Sequence, residues 1–264
     1  MQLRWMGSVM VVMLLLSFIH PVVQAGEIER EREEWSQMAE KIETEVQQGH
    51  LMAAREDLAV LARQFSKADW LSKKLTLEAV HILAEVLMEL EWSLNQVRPD
   101  PTKLAQATER MRLAFDALSH PNQPLWQRYY EPLKEGVAEV KQAVKRKQDQ
   151  QTRQAIEELY AKVQLVRPAL IVAKSPYAVH KMDSLITFIR KEKQFDRLAS
   201  AVGQLEQLLY PLFYGSEQDV MATVNSWNEA EVISLTYWLM LLIVAVLAYV
   251  AWRKYRGESP PVAT

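Results

Sequence analysis

The amino-acid sequence predicts an all-α domain that is followed by one transmembrane helix near the C-terminus. Helix-forming residues are abundant, the chain has only 7 Gly, and apolar residues recur every three or four positions. The alternation of apolar and polar residues that is typical of strands is absent, and so are Asn-Gly and Asp-Gly hairpin turns. A run of 21 uncharged residues occupies positions 232–252, and this length suits a helix that crosses a bilayer.

The uncharged run is expected to anchor the protein in the membrane. At about 1.5 Å per residue its helix would be ~30 Å long, which matches the hydrocarbon thickness of a bilayer. Interfacial aromatic rings lie near both of its ends. Acidic residues precede the run and basic residues follow it. These anchoring residues are Trp238, Trp252, Arg253, Lys254 and Arg256. Because positive residues stay in the cytoplasm, residues 253–264 are predicted to form a cytoplasmic tail. The alternative is a buried helix of a soluble core, where so long an uncharged run is rare.

Residues 1–25 have the plan of a secretory signal peptide. Arg4 precedes a short apolar run, and Ala25 provides a small residue at the expected cleavage site. We therefore expect an extracytoplasmic domain over residues 26–231. The alternative is an uncleaved anchor that leaves both termini in the cytoplasm, although the run is short for a stable span.

Composition excludes several classes of chemistry. The chain has no Cys, which rules out thiol catalysis, disulfides and cysteine-ligated metals. It has no Gly-rich phosphate loop, so we expect no nucleotide cofactor, and its net charge of -2 gives no reason to expect a nucleic-acid partner. The motifs G-x-S-x-G, H-E-x-x-H and S-x-x-K are also missing.

The first half of the domain shows four amphipathic helices, at about 27–48, 51–65, 70–96 and 102–118. Gly49 stands in the usual stop position after the first helix, and Asp69 suits the N-cap of the third. The third helix is apolar over the widest arc, so we expect it at the centre of this half. Pro99 and Pro101 break the chain before the fourth helix.

Four more helices are predicted in the second half, at about 125–144, 151–166, 176–189 and 195–209. Pro132 should kink the fifth helix or split off a short first segment. Pro168 should interrupt the sixth helix, with a continuation over 169–173 after a kink as the alternative. Pro211 and Gly215 should end the eighth helix. A polar run before Asp149 makes residue 148 a candidate boundary between two helical groups.

Two arrangements of these helices are open. Short connections favour a compact bundle of antiparallel neighbours. Three segments, at 49–65, 101–118 and 193–209, each combine a turn with a helix that has small residues early and large apolar residues late. They resemble the second helix of a tetratricopeptide-type hairpin, so a short helical-repeat array is the alternative.

Glu78 and His81 form the sharpest candidate for a metal site, because carboxylate-bridged di-metal bundles use Glu and His three apart. Such a site needs a second Glu-x-x-His, which the sequence lacks. We therefore expect no metal and no cofactor. The alternative to a metal ligand is that His81 is an ordinary capped or partly exposed residue of a core helix. Without a reactive motif the chain is predicted to be non-enzymatic. An envelope hydrolase that uses dispersed carboxylates for cell-wall modification is the alternative.

Aromatic residues near chain breaks are candidates for a partner surface, since aromatics dominate interface energetics, with the core as the alternative location. They are Tyr129, Tyr130, Tyr210, Phe213 and Tyr214. A basic group could contact anionic lipid or wall polymer, or simply form a solvated helix face. It consists of Lys141, Lys145, Arg146 and Lys147. The expected partners are a membrane or envelope protein, or a wall polymer, together with the bilayer itself.

The plan of the whole chain resembles the sporulation protein YpjB family of endospore-forming bacteria. The likeness rests on the export signal, the helical region without Cys, and the single C-terminal span that ends in Trp252-Arg253-Lys254-Tyr255. It covers nearly the full chain. The resemblance implies a membrane-attached role during spore formation and supplies no catalytic residues. The sequence therefore predicts a membrane-anchored interaction protein of the cell envelope.

Overall fold

The computed structural model describes residues 28–70, 75–216, 218–220 and 229–257. All regular secondary structure in these ranges is helical, which confirms the predicted all-α class. The chain divides into a compact unit that ends at Glu217 and a C-terminal unit that begins at Gln218. The predicted signal peptide lies outside the described residues.

The compact unit begins with α1, whose described residues are 28–47, and contains a short 3-10 helix at Leu125–Tyr129. Its other helices are α2 (Leu51–Lys67), α3 (Leu77–Leu94), α4 (Pro101–Ser119), α5 (Tyr130–Arg146), α6 (Asp149–Ala173), α7 (Pro176–Lys191) and α8 (Phe195–Tyr214).

The helices pack as a compact bundle. In a repeat array each unit contacts only its neighbours. Here α6 packs against α3, α4, α5 and α7, and α8 packs against both α5 and α7. The contacts between α3 and α6 and between α5 and α8 join helices that lie three apart in the chain, which a one-dimensional stack does not provide. The compact unit continues across residue 148, where α5 and α6 pack against each other.

The centre of the N-terminal half is α4, and this corrects the expectation for α3. Every residue from Met111 to Leu118 is buried, so α4 is enclosed on all sides. By contrast, α3 exposes Leu77, Met88 and Trp92 at the surface. The apolar pattern of the sequence could not identify α4, because its enclosed stretch includes two charged residues that are buried in ion pairs.

Gly49 ends α1 as predicted. Its φ of +77° is left-handed, and two hydrogen bonds close a Schellman turn. They join Gly49 N–H to Val46 O (3.0 Å) and His50 N–H to Glu45 O (2.8 Å).

The predicted start of the third helix was wrong. Thr76 is the N-cap of α3 and accepts a hydrogen bond from Ala79 N–H (3.1 Å). Trp70, which was expected to begin the helix, instead packs its ring against the core, with its centroid 4.4 Å from that of Phe65 and 5.7 Å from that of Trp35. The energy of this aromatic contact outweighs the local capping signal of Asp69.

The three internal prolines have different outcomes. Pro132 is the third residue of α5, where a missing N–H is harmless, and the segment split off before it is the 3-10 helix. Pro168 lies inside α6, which continues to Ala173. Pro211 does not end α8: this helix continues to Tyr214, because the apolar side chains around the proline, including Leu212 and Phe213, are buried.

Candidate interaction surface and membrane helix

The C-terminal unit contains one long helix, α9 (Glu229–Gly257). Its segment Tyr237–Lys254 is long and apolar enough to cross a membrane, by length and composition. Trp238 and Trp252 are both exposed, as expected of rings that face lipid or its interface. Arg253 and Lys254 are exposed directly after Trp252, and Arg256 follows within the helical backbone. The helix is therefore a candidate membrane span, and its role as the anchor stays a prediction.

The compact unit brings three tyrosines together where α5 begins and α8 ends. Tyr130 is the first residue of α5, while Tyr210 and Tyr214 lie on the last turns of α8. The Tyr130 ring centroid lies 6.2 Å from that of Tyr210 and 5.1 Å from that of Tyr214. Tyr210 is 61% exposed and Tyr214 is 49% exposed, whereas Tyr130 is half-buried. We call these three residues the tyrosine patch.

A buried aromatic layer supports the tyrosine patch from below. Phe213 is fully buried, and its ring centroid lies 5.6 Å from that of Tyr130 and 5.0 Å from that of Trp126. Phe213 is thus a core residue, and it holds the tyrosine rings in place. Trp126 belongs to the same layer and is fully buried.

Cations border this aromatic layer. Lys134 Nζ lies 5.5 Å from the centroid of the Tyr130 ring, and Lys174 Nζ lies 5.7 Å from that of Trp126. Glu131 accepts a hydrogen bond from Lys134 (3.3 Å), and this bond raises the pKa of the Lys134 amine. Tyr129 stands apart from the patch, since its ring faces the guanidinium of Arg128 at 5.5 Å.

In the structure, Glu78 of the candidate metal pair contacts a different histidine. Glu78 Oε1 lies 3.3 Å from Nε2 of His180 on α7, and both side chains are exposed. His81 is exposed as well. In the part of the chain that the structure describes, no three His, Cys, Asp or Glu side chains group as metal ligands. The Glu78–His180 contact therefore acts as a surface link between α3 and α7.

The predicted basic group lies at the C-terminal end of α5, where cations favourably face the helix dipole. Lys145, Arg146 and Lys147 are exposed. Lys141 pairs with Glu206 of α8 at 2.5 Å. All four predicted cations therefore lie at the surface, and Lys141 is held there by this ion pair.

Sequence patterns did not reveal a buried charged cluster between α1 and α4. Arg112 of α4 has a side chain only 8% exposed, and its Nη1 donates to Ser36 Oγ at 3.1 Å. Its Nη2 contacts Glu40 at 3.1 Å, and Asp116 Oδ1 lies 3.7 Å from Nη1. Asp116 also accepts the Leu125 N–H (2.6 Å), so the cluster joins α1 and α4 to the 3-10 helix.

Glu43 lies at the edge of this cluster. Its Oε2 is 3.8 Å from Arg112 Nε. Burial raises the pKa of the Glu43 carboxyl, and the nearby guanidinium only partly offsets this effect. The only signal in the sequence was the spacing of Arg112 and Asp116 by four residues on one helix face, which usually denotes a solvated pair.

The fold and the C-terminal helix define the class: within the described residues, an all-α protein with one candidate membrane span after a compact helical unit. Residues 32–262 match the model of the family described as Sporulation protein YpjB (SpoYpjB). The chain therefore belongs to the sporulation protein YpjB family, which confirms the resemblance seen in the sequence. Comparison with curated proteins and with solved structures gave no match.

Proposed function

We propose that this protein is a membrane-anchored, non-enzymatic interaction protein that acts in the cell envelope during sporulation. Its family supports the role in sporulation. The uncharged segment of α9 supports the anchor, and the cations that follow it support a cytoplasmic C-terminus. In this topology the helical body lies outside the cytoplasm.

The tyrosine patch is the observation that carries the interaction role. Tyrosine gives a large contact area for little loss of conformational entropy, and it is enriched at the centre of interfaces. Two of the three rings are strongly exposed, and the buried Phe213 packs against the rings of Tyr130 and Tyr214. Such exposed aromatic clusters mark interaction sites in soluble domains. The partner we propose is a membrane or envelope protein.

The neighbouring cations suggest the chemistry of the partner's surface. Lys134 and Lys174 lie beside the aromatic layer, so a matching surface would combine apolar groups with carboxylates at its rim. Glu131 forms an ion pair with Lys134, but the Lys134 side chain remains more than half exposed, so it is accessible to a partner.

Site-specific photo-cross-linking in sporulating cells tests the proposal. A photoreactive residue in place of Tyr210 should capture a discrete membrane-fraction protein, whereas one in place of Tyr177 should not. Tyr177 is a matched control, because it is also an exposed tyrosine, on α7. The Tyr130→Ala substitution should weaken capture at position 210 and reduce spore yield. Equal capture from both positions, or normal sporulation of the Tyr130→Ala and Tyr210→Ala double variant, would refute the proposal.

A further inference from the structure

A second surface feature lies between α3, α4 and α6 and shares no residue with the tyrosine patch. It is a groove of about 490 Å³, and the residues along it come from all three helices. This volume falls within the usual range of small-molecule sites, roughly 300–1,000 Å³. Its lining includes Trp92 and Tyr160 among charged and amide side chains.

Trp92 is the unusual member of this groove. It is 63% exposed, whereas Trp35 and Trp126 are fully buried in the bundle. An indole is costly to leave in water, because most of its surface is apolar. A flat apolar ring at a polar groove is a platform on which a flat-faced ligand can stack.

The charged walls of the groove are fixed by ion pairs. Arg110 on α4 contacts Glu89 on α3 at 2.7 Å. On the α6 side, the Arg190 guanidinium lies 3.8 Å from the centroid of the Tyr160 ring and donates two hydrogen bonds to Glu157, at 3.0 and 2.9 Å. These contacts hold the walls in place before a ligand arrives, which lowers the entropy cost of binding.

Other polar groups of the groove are available to a ligand. Lys103 Nζ and the side-chain amides of Gln106 and Gln164 make no hydrogen bond to the part of the chain that the structure describes. They provide one cation and two amides that both donate and accept. An apolar ligand would bury these groups and the Arg110–Glu89 pair without compensation, which is costly.

We infer that this groove binds a saccharide that carries carboxylate or acetamido groups. A pyranose ring has a flat C–H face that stacks on an indole, and a rim of hydroxyl groups that needs donors and acceptors. Trp92 supplies the platform, and Gln106 and Gln164 supply rim contacts. Lys103 supplies the charge that selects a carboxylate. The inference goes beyond the proposed function, since it concerns another face of the body and a ligand of another class.

Calorimetric titration of the full-length protein in detergent tests this assignment. The probes are a neutral tetrasaccharide of N-acetylglucosamine and a tetrasaccharide of the same length in which alternate sugars carry a carboxylate. We expect both to bind, the acidic one more tightly. Trp92→Ala should weaken both by about tenfold or more, as truncation of a central aromatic contact does. Lys103→Gln should weaken the acidic probe by about tenfold and leave the neutral one unchanged.

Met88→Ala is the matched control, because Met88 is also strongly exposed on α3 but lines a different groove, between α2 and α3. It should bind both probes like the unmodified protein. The saccharide site would be overturned if neither probe binds. It would also be overturned if the Trp92→Ala variant binds the probes as tightly as the unmodified protein does. Equal affinity for the two probes would overturn the carboxylate assignment. Cross-linking at Tyr210 should persist in the Trp92→Ala variant, so failure of one proposal is distinguishable from failure of the other.

Discussion

Replacing Arg112 by Met tests whether the buried charged cluster stabilises the bundle. Methionine keeps most of the apolar stem of the side chain and removes the guanidinium. Asp116, whose side chain is only 3% exposed, would lose the cation 3.7 Å away. It would keep the Leu125 N–H and the contact with His120 Nδ1 at 2.9 Å. Glu40 is largely exposed and can turn to water. Removing one partner of a buried ion pair costs about 3–5 kcal/mol, and these remaining contacts favour the lower end, about 3 kcal/mol.

Urea unfolding of the full-length protein in mild detergent, followed by far-UV circular dichroism, measures this loss. With a slope of about 2 kcal/mol per M, the unfolding midpoint should fall by ~1.5 M. Arg30→Met is the matched control, because the Arg30–Glu34 pair on α1 is exposed, and its midpoint should not change measurably.

A double variant sharpens the test. Adding Asp116→Asn to Arg112→Met removes the negative charge that had lost its guanidinium partner and keeps an acceptor for Leu125 N–H. The double variant should therefore lose less stability than the sum of the two single variants. Additive losses, or a change below about 1 kcal/mol for Arg112→Met alone, would show that the cluster does not stabilise the bundle in this way.

Three further predictions follow from burial, backbone geometry and charge. Because burial raises the folded-state pKa of Glu43, its ionisation lowers stability as pH rises through that pKa. Glu43→Gln should therefore raise the urea midpoint at pH 7 and leave the midpoint unchanged below about pH 4. An unchanged midpoint at pH 7 would contradict this assignment. Gly203→Ala should raise the free energy of unfolding by about 0.5–1 kcal/mol, since no atom lies within 4 Å of the added Cβ. Gly49→Ala should lower the free energy of unfolding by about 1 kcal/mol or more, because Gly49 has a positive φ. Thermal melts that rank the two variants the other way would refute both predictions. A reporter enzyme fused after Thr264 should be active only in the cytoplasm, and carbonate washing should leave the full-length chain in the membrane pellet; external activity would reverse the orientation.

The sequence was most informative where local chemistry alone decides the structure. Gly49 ends α1 because only glycine adopts its left-handed φ without cost. The seventh helix begins at position 176 as predicted, because proline suits the first position of a helix. The apolar stripes predicted the buried faces of most helices, since burial follows periodicity. These features depend on a few neighbouring residues and need no knowledge of tertiary packing.

Tertiary packing decided the features that the sequence did not predict. Trp70 leaves its expected helix because its ring completes an aromatic cluster with Trp35 and Phe65. The helix around Pro211 persists because its neighbours are buried. The spacing of Arg112 and Asp116 is typical of a solvated pair on a helix surface. They are buried because α1 packs against this part of α4, and local sequence does not predict that contact.

The candidate site was predicted in part. The sequence named Tyr210 and Tyr214 as aromatics near a chain break, beyond the predicted end of the eighth helix. The continuation of α8 to Tyr214 and its contact with α5 bring them to Tyr130. The groove at Trp92 combines residues of three helices that no local motif connects. Sites of this kind need the fold before their chemistry can be recognised.

The length of α9 has a mechanical consequence. Its 29 residues, at about 1.5 Å each, make a rod of ~43 Å, which exceeds the ~30 Å hydrocarbon layer by about two turns. Typical tilts of about 20° absorb only a small part of this excess. Placed across a bilayer, the rod would emerge into water while still helical, so rotation or a piston-like shift at one end would pass to the other without being lost in a flexible hinge.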